Sequence, residues 1–253
     1  MLKALGLLGL GLLSGSFLVN NVYASDVNNN NTNNKLSPWK GSSAGLGFLM
    51  ATGDTKTDNL NANLNLNYKP NNNWSFISKD QFQRSSSASD GVTAWLLDLK
   101  GQANYNFTKK QYAYGSLDYI DNKFDGYNYR MVESLGYGRN ISMPSNMKFS
   151  VQAGPGFEQN IAQDTHKRSN IITFNPSLNY SWNFTEKSSL SEDLSSIISK
   201  QTTLTTSETN LTTNICNNFN LQLSYKLVDS TKPQPGKYRV NTLTSINLLY
   251  NFV

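Results

Sequence analysis

The chain has 253 residues, enough for one large all-β domain, with 38% hydrophobic residues and a formal charge of +5. Beyond residue 24 no apolar run approaches the roughly 20 residues that a spanning helix needs, so a helical membrane protein is excluded. A single cysteine, Cys216, and a single histidine, His166, exclude an internal disulfide, a zinc site and a thiol nucleophile, and the scattered Lys and Arg offer no nucleic-acid surface.

In chain order, Met1-Leu2-Lys3 supplies a positive charge, Ala4 to Leu18 is apolar, and Val22-Tyr23-Ala24 presents small residues where a signal peptidase reads. Residues 1–24 are therefore expected to be a signal peptide cleaved before Ser25. Residues 25–38 are Asn-rich and are expected to form a disordered leader, with the folded domain over 39–253.

From Gly41 onward the period of two dominates. Asn59 to Tyr68 alternates amides with apolar side chains without a break, so as a strand it has one wholly apolar and one wholly polar face. Twelve such segments are predicted. The first is near Ser42 to Ala51, with a turn at Thr52-Gly53-Asp54, then Asn59 to Tyr68, a Pro/Asn turn at Lys69 to Asn73, and Trp74 to Arg84. After a polar loop at Ser85 to Gly91, the fourth sets Trp95, Leu97, Leu99, Ala103, Tyr105 and Phe107 against Asp98, Lys100, Gln102, Asn104 and Asn106. Tyr112 to Asp121, Tyr127 to Asn140, Met147 to Glu158 and Ile172 to Phe184 follow, with a loop at Gln159 to Asn170. Ser and Thr dilute the next two, Ser188 to Ile198 and Thr203 to Cys216, and a helical reading of Leu190 to Lys200 stands beside the strand reading. Phe219 to Leu227 and Val240 to Phe252 complete the set, and Cys216 is expected to be a small packed residue.

The fold class this implies is a transmembrane antiparallel up-and-down β-barrel of about 12 strands, with aromatic girdles where lipid meets water. Short turns on the side of the N-terminus, and the long connections Gln159 to Asn170 and Asp229 to Tyr238 on the other, place both termini in the periplasm. Glu133 falls in register with Tyr129, Met131, Leu135 and Tyr137 and would face lipid; a bulge that re-aims it is the favoured reading.

Asp98, Lys100, Asp118, Arg130, Lys148, Glu158 and Lys226 fall opposite the apolar sets and are expected to face the lumen. Eight strands leave an interior filled by side chains and sixteen leave a channel, so twelve admits either a narrow pore or a plugged polar core. The reading preferred is a narrow pore for small polar solutes or ions. The alternative is a non-conducting structural or stress-related envelope protein. An outer-membrane lipid-modifying enzyme would need His166 to serve Ser169 as a base, oriented by Asp164 or Glu158, and Ser is too frequent here for that proximity to mean much. Hence no catalytic residue, cofactor or metal is expected. Gly53-Asp54 and Asp125-Gly126 lack the alternating carboxylates of a calcium loop and read as turns. Asn106-Phe107-Thr108 and Asn183-Phe184-Thr185 sit at strand ends.

Phe124-Asp125-Gly126-Tyr127-Asn128-Tyr129-Arg130, then Gly136-Tyr137-Gly138-Arg139 and Ala153-Gly154-Pro155-Gly156-Phe157, resemble the signature blocks of the YdiY-like, salt-induced outer-membrane protein family. Ser224-Tyr225-Lys226, Pro235-Gly236 and the ending Leu248-x-Tyr250-x-Phe252 fit as well. The resemblance spans roughly Trp39 to the C-terminus and implies an outer-membrane barrel of uncharacterised role, with no catalytic residues to carry over. The partners it implies are outer-membrane lipids, the outer-membrane assembly machinery and, for a pore, a small polar solute. The family commonly ends on the aromatic, whereas Val253 follows Phe252 here, and Glu133 is unusual for its strand.

Overall fold

The computed structural model describes residues 37–51, 57–87, 90–123 and 126–252. The expected signal peptide and most of the leader, Gly53-Asp54, Asp125 and Val253 lie outside them. Fourteen strand segments form one antiparallel sheet: β1 (Ser43–Ala51), β2 (Thr57–Tyr68), β3 (Trp74–Ser87), β4 (Gly91–Asn106), β5 (Gln111–Asn122), β6 (Tyr127–Ile141), β7 (Met147–Ala153), β8 (Pro155–Ala162), β9 (Arg168–Phe174), β10 (Ser177–Asn183), β11 (Ser188–Ile198), β12 (Thr203–Cys216), β13 (Phe219–Ser230) and β14 (Val240–Asn251). β7 and β8 follow one another along β6 and count as one stave, broken at Gly154. A Cβ at Gly154 would overlap the carbonyl of Leu135, so glycine is required by close backbone approach, and Pro155 next to it has no N–H to give. β9 and β10 are likewise one stave, interrupted at Asn175-Pro176. Twelve staves remain. β1 meets β14 through four residue pairs, Ser43↔Asn251 to Leu46↔Leu248, which closes the barrel.

The polarity of a globular fold is inverted. Leu46, Phe48, Leu135, Ile172 and Ile246 are more than 60% exposed, while Asn67, Gln102, Asn104, Gln152, Glu158 and Asn247 are at most 5% exposed. In a single closed sheet such buried residues can only point into the lumen. The exposed row is the other face of the same strands, set by the period-two alternation.

Aromatic rings ring the outer wall at the terminal end, the end that holds the first and last described residues, Ser37 and Phe252. Trp39, Tyr68, Phe76, Trp74, Tyr105 and Phe107 contact in sequence, and Phe219, Tyr250 and Phe252 continue the belt. At the other end Phe82 meets Trp95, and Tyr119 meets Tyr129. Trp95 and Tyr105 share β4 ten residues apart, about 33 Å along the strand and about 25 Å along a barrel axis tilted by about 40°. That is the height of the apolar band of an outer-membrane barrel.

The turns at the terminal end have a common device. Thr108 Oγ1 accepts from the N–H groups of Lys110 and Gln111, and Thr185 Oγ1 from those of Lys187 and Ser188. The two Asn-Phe-Thr sequences thus serve as hydroxyl-capped turns. Asn71 Oδ1 does the same for Asn73 and Trp74.

Ser188 to Ile198 is the expected strand, paired along its length with β12, and the helical alternative for Leu190 to Lys200 falls away. Several other expectations need correction. Strands run further at the loop end than the apolar pattern indicates, so the loop expected at Gln159 to Asn170 shrinks to 163–167. Above the lipid band both faces meet water, and the ladder continues without alternation. The length contrast from which orientation was read therefore rests mainly on 231–239. Glu133 is not re-aimed: it pairs with Leu117 and Phe157 in unbroken register, is exposed on the outer face, and the irregularity lies at Tyr127/Tyr129. Cys216 is exposed rather than packed, because a register shift between Asn214 and Cys216 swings it out beside the turn at Asn217.

Candidate functional site

Among the described residues, paired charge is concentrated in the lumen. Cross-strand neighbours place Asn65, Lys79, Lys100, Asp118, Val132 and Glu158 in one inward row over β2 to β8. The facing wall carries Asn179, Asp193, Glu208 and Lys226 over β10 to β13. Within each row like charges are direct neighbours, Lys79 beside Lys100 and Asp193 beside Glu208, an arrangement that is destabilising by itself.

The remedy lies across the lumen. Lys79 Nζ donates to Asp193 Oδ2 at 2.8 Å, joining β3 to β11. Lys226 Nζ on β13 reaches Asp98 Oδ2 at 3.3 Å on β4 and Gln81 Oε1 at 3.1 Å on β3. Lys100 sits between Asp98 at 3.3 Å and Asp118 at 3.5 Å. Twelve staves about 4.8 Å apart and tilted about 40° would enclose a circle about 24 Å across. A lysine and an aspartate bonded head to head span on the order of 11 Å between backbones. The section is therefore flattened at this level, and opposite walls are tied together.

Below this charged layer, towards the termini, neutral side chains fill the lumen. Tyr112 lies flat over Gly138 and Tyr114 over Gly136, so that a Cβ at either glycine would overlap a ring. Tyr112 Oη donates to Gln152 Oε1 at 3.0 Å, and the Gln152 and Gln102 carboxamides exchange hydrogen bonds at 3.2 and 3.3 Å across the space between β7 and β4. Beside Lys100 and Asp118 a cavity of about 50 Å³ remains, room for one or two waters.

The expected lumen residues fall as follows. Asp98, Lys100, Asp118 and Lys226 belong to the cross-lumen cluster. Arg130 and Glu158 form a separate buried pair at 3.1 Å, with Asn160 Nδ2 donating to the same carboxylate at 2.8 Å. Lys148 is exposed at the terminal mouth. Three participants were not singled out in the sequence: Lys79, Asp193 and Glu208. Lys79 and Asp193 are 114 residues apart, and β11 has no clear alternation from which to assign their faces.

No acyl-transfer relay assembles around His166. It is exposed in a turn at φ 53° with its N–H on the carbonyl of Ala162, Asp164 accepts from the Thr165 N–H, and Glu158 is bonded to Arg130 inside the barrel. Among the described residues no group of three or more His, Cys, Asp or Glu is placed to hold a metal ion.

An apolar outer wall of spanning height, a polar interior and complete closure define a membrane β-barrel of twelve antiparallel strands. The chain belongs to the family described as "Protein of unknown function, DUF481", whose pattern matches residues 44–252. It is 24% identical over 216 residues to the uncharacterized protein YdiY of Escherichia coli (strain K12), covering 85% of this chain and 83% of that protein. Its fold is similar to the NanC porin, with a TM-score of 0.51 and 7% identity over 84% of this chain and all of the porin. An outer membrane channel from Pseudomonas putida F1 gives a TM-score of 0.51 and 12% identity over 90% of this chain and all of the channel. At these identities the likeness is one of fold.

Proposed function

We propose that this protein is exported to the bacterial outer membrane and works there as a narrow channel for small polar solutes or ions whose resting state is closed at mid-height. The observation that carries the reading is the pair of cross-lumen ties, Lys79 to Asp193 and Lys226 to Asp98. A merely structural core has no need to set like charges side by side on each wall and tie the two walls together across the lumen. Such an arrangement has two states: walls drawn together with charges paired, or walls apart with charges hydrated and a polar path between them.

Planar-bilayer recordings test this. Wild type should show little steady current with brief openings, and Lys79→Ala with Lys226→Ala should raise the open fraction at least tenfold. If neither protein conducts while both keep the heat-modifiable mobility of a folded barrel, the channel reading fails. The non-conducting structural barrel then stands, favoured by the filled layer of Tyr112, Gln102 and Gln152.

A further inference from the structure

Two sequence blocks that the cross-lumen ties do not use meet in space. One is the start of β6, from Gly126 to Arg130, and the other is Pro235-Gly236 in the connection between β13 and β14. Both lie at the mouth opposite the terminal end. In the order of strands β14 stands six places from β6, the greatest separation a ring of twelve allows. The nine residues 231–239 therefore pass over the lumen to reach β6.

The crossing has a fixed base and a preformed tip. At the base Arg239 forks onto both oxygens of Asp229 at 2.8 and 3.2 Å, and the Ser230 N–H donates to the carbonyl of Arg239 at 2.9 Å. The Thr203 N–H donates to Thr231 Oγ1 at 2.8 Å, which leans the segment over β12. At the tip the Lys237 N–H donates to the carbonyl of Gln234 at 3.0 Å, with Pro235 and Gly236 (φ 76°) at the corners where a type II turn wants them. Gln234 and Lys237 are half-buried, and the other seven residues are exposed, so little surface holds the tip down.

The receiving wall is shaped for that tip. The register irregularity at Tyr127/Tyr129 sets Tyr127 opposite Ala162, on the inward row that continues through Asn160 and Glu158, whereas unbroken alternation would turn it out with Tyr129. Its hydroxyl accepts from Gln234 Nε2 at 2.8 Å. The Arg130 guanidinium, paired with Glu158, lies 5.3 Å from the centre of its ring. Gly126 is buried at φ 91°, and a Cβ there would come within 2.8 Å of Gln234 Cβ, so backbone and space both require glycine. The Gln163 N–H donates to the Gly126 carbonyl at 2.9 Å and ties this seat to the β8–β9 turn.

We propose that residues 231–239 are a strap that closes the mouth opposite the terminal end, with the Gln234–Tyr127 hydrogen bond as its latch, Gly126 as its seat and the Asp229–Arg239 pair as its hinge. Its use as a gate, in series with the mid-height ties, rests on the channel reading; its opening and closing do not. Nitroxide labels at Thr165→Cys, in the turn beside the seat, and Pro233→Cys, on the strap, test it by double electron–electron resonance in the full-length barrel carrying Cys216→Ser. The latched form should give one narrow distance. Gln234→Ala and, separately, Gly126→Val should broaden the distribution and lengthen its mean by about 10 Å or more, within the roughly 30 Å reach of nine residues. Lys232→Gln, on the strap but outside the latch, should leave the distance unchanged. A broad wild-type distribution, a narrow one that survives both latch variants, or equal loosening by Lys232→Gln overturns the proposal. In planar bilayers Gln234→Ala should raise the open fraction of a conducting wild type by on the order of tenfold, the worth of one hydrogen bond. A wild type that never conducts removes the channel reading and leaves the distances to decide the strap.

Discussion

Asp98 and Glu133 are carboxylates at similar depth in the same wall, one facing in and one facing out. Asp98 is 4% exposed and bound by two lysines, Lys100 and Lys226, each at 3.3 Å. Glu133 is exposed between Leu117 and Phe157, midway between Tyr129 and Tyr137, and its carboxylate makes no hydrogen bond or ion pair with any described residue. Inside, the protein acts as its own polar solvent and each charge is fixed by a partner. Outside, no solvent is supplied, and the charge must be tolerated. Two further outward carboxylates lie between these extremes. Ser78 Oγ donates to Asp80 at 3.2 Å, and Glu192 accepts from Ser207 and Thr209.

The contrast has measurable consequences. Asp98→Ala should have the largest effect, a loss of about 3–5 kcal/mol in urea unfolding from bilayers, because the buried Lys226 ammonium loses its carboxylate and Lys100 is left with Asp118 in place of two. A loss below about 1 kcal/mol would mean that the lumen is wet enough to hydrate them. Removing both ends of one tie, as in Lys79→Met with Asp193→Leu, should cost clearly less than Asp193→Leu alone. Glu133→Leu should have the opposite sign, a gain of about 1–2 kcal/mol from relieving a carboxylate at mid-depth. If that variant is instead destabilised, Glu133 has a partner in the membrane that the isolated chain does not reveal. Glu192→Leu should change stability least, by under about 1 kcal/mol, since the gain in lipid is offset by two hydroxyls that lose their acceptor.

How much of this was legible in the sequence depends on where physics demands alternation. β2, β4 and β13 lie in the lipid band with apolar outer rows, and their faces follow directly from period two. Strand ends were underestimated at Ser85 to Ser87 and at Gln159 to Ala162, where the strand rises above the band and no apolar row is required. β11 and β12 were dim because Ser188, Glu192, Ser196, Thr205, Ser207 and Thr209 occupy outward positions. The ties across the lumen left no local signal. Lys79 and Asp193 become neighbours only after the sheet has curled, and neither spacing nor composition records that. Gly136 and Gly138 are visible as a motif, but their use, to seat Tyr114 and Tyr112 flat inside the lumen, needs the pairing register.

The seam between β1 and β14 has a kinetic meaning. Every other stave contacts a partner close in sequence, so its hairpin can form as soon as the two strands exist. The seam instead joins Ser43 to Asn251, across nearly the whole chain, through only four residue pairs. Its ladder returns little until the chain between has been ordered, so closure is the last step of assembly and loop entropy sets its delay. The same shortness makes it the first place to unzip. Amide exchange in a folded population should therefore be fastest along Ser43 to Leu46 and Leu248 to Asn251, marking where the cylinder remembers having been a sheet.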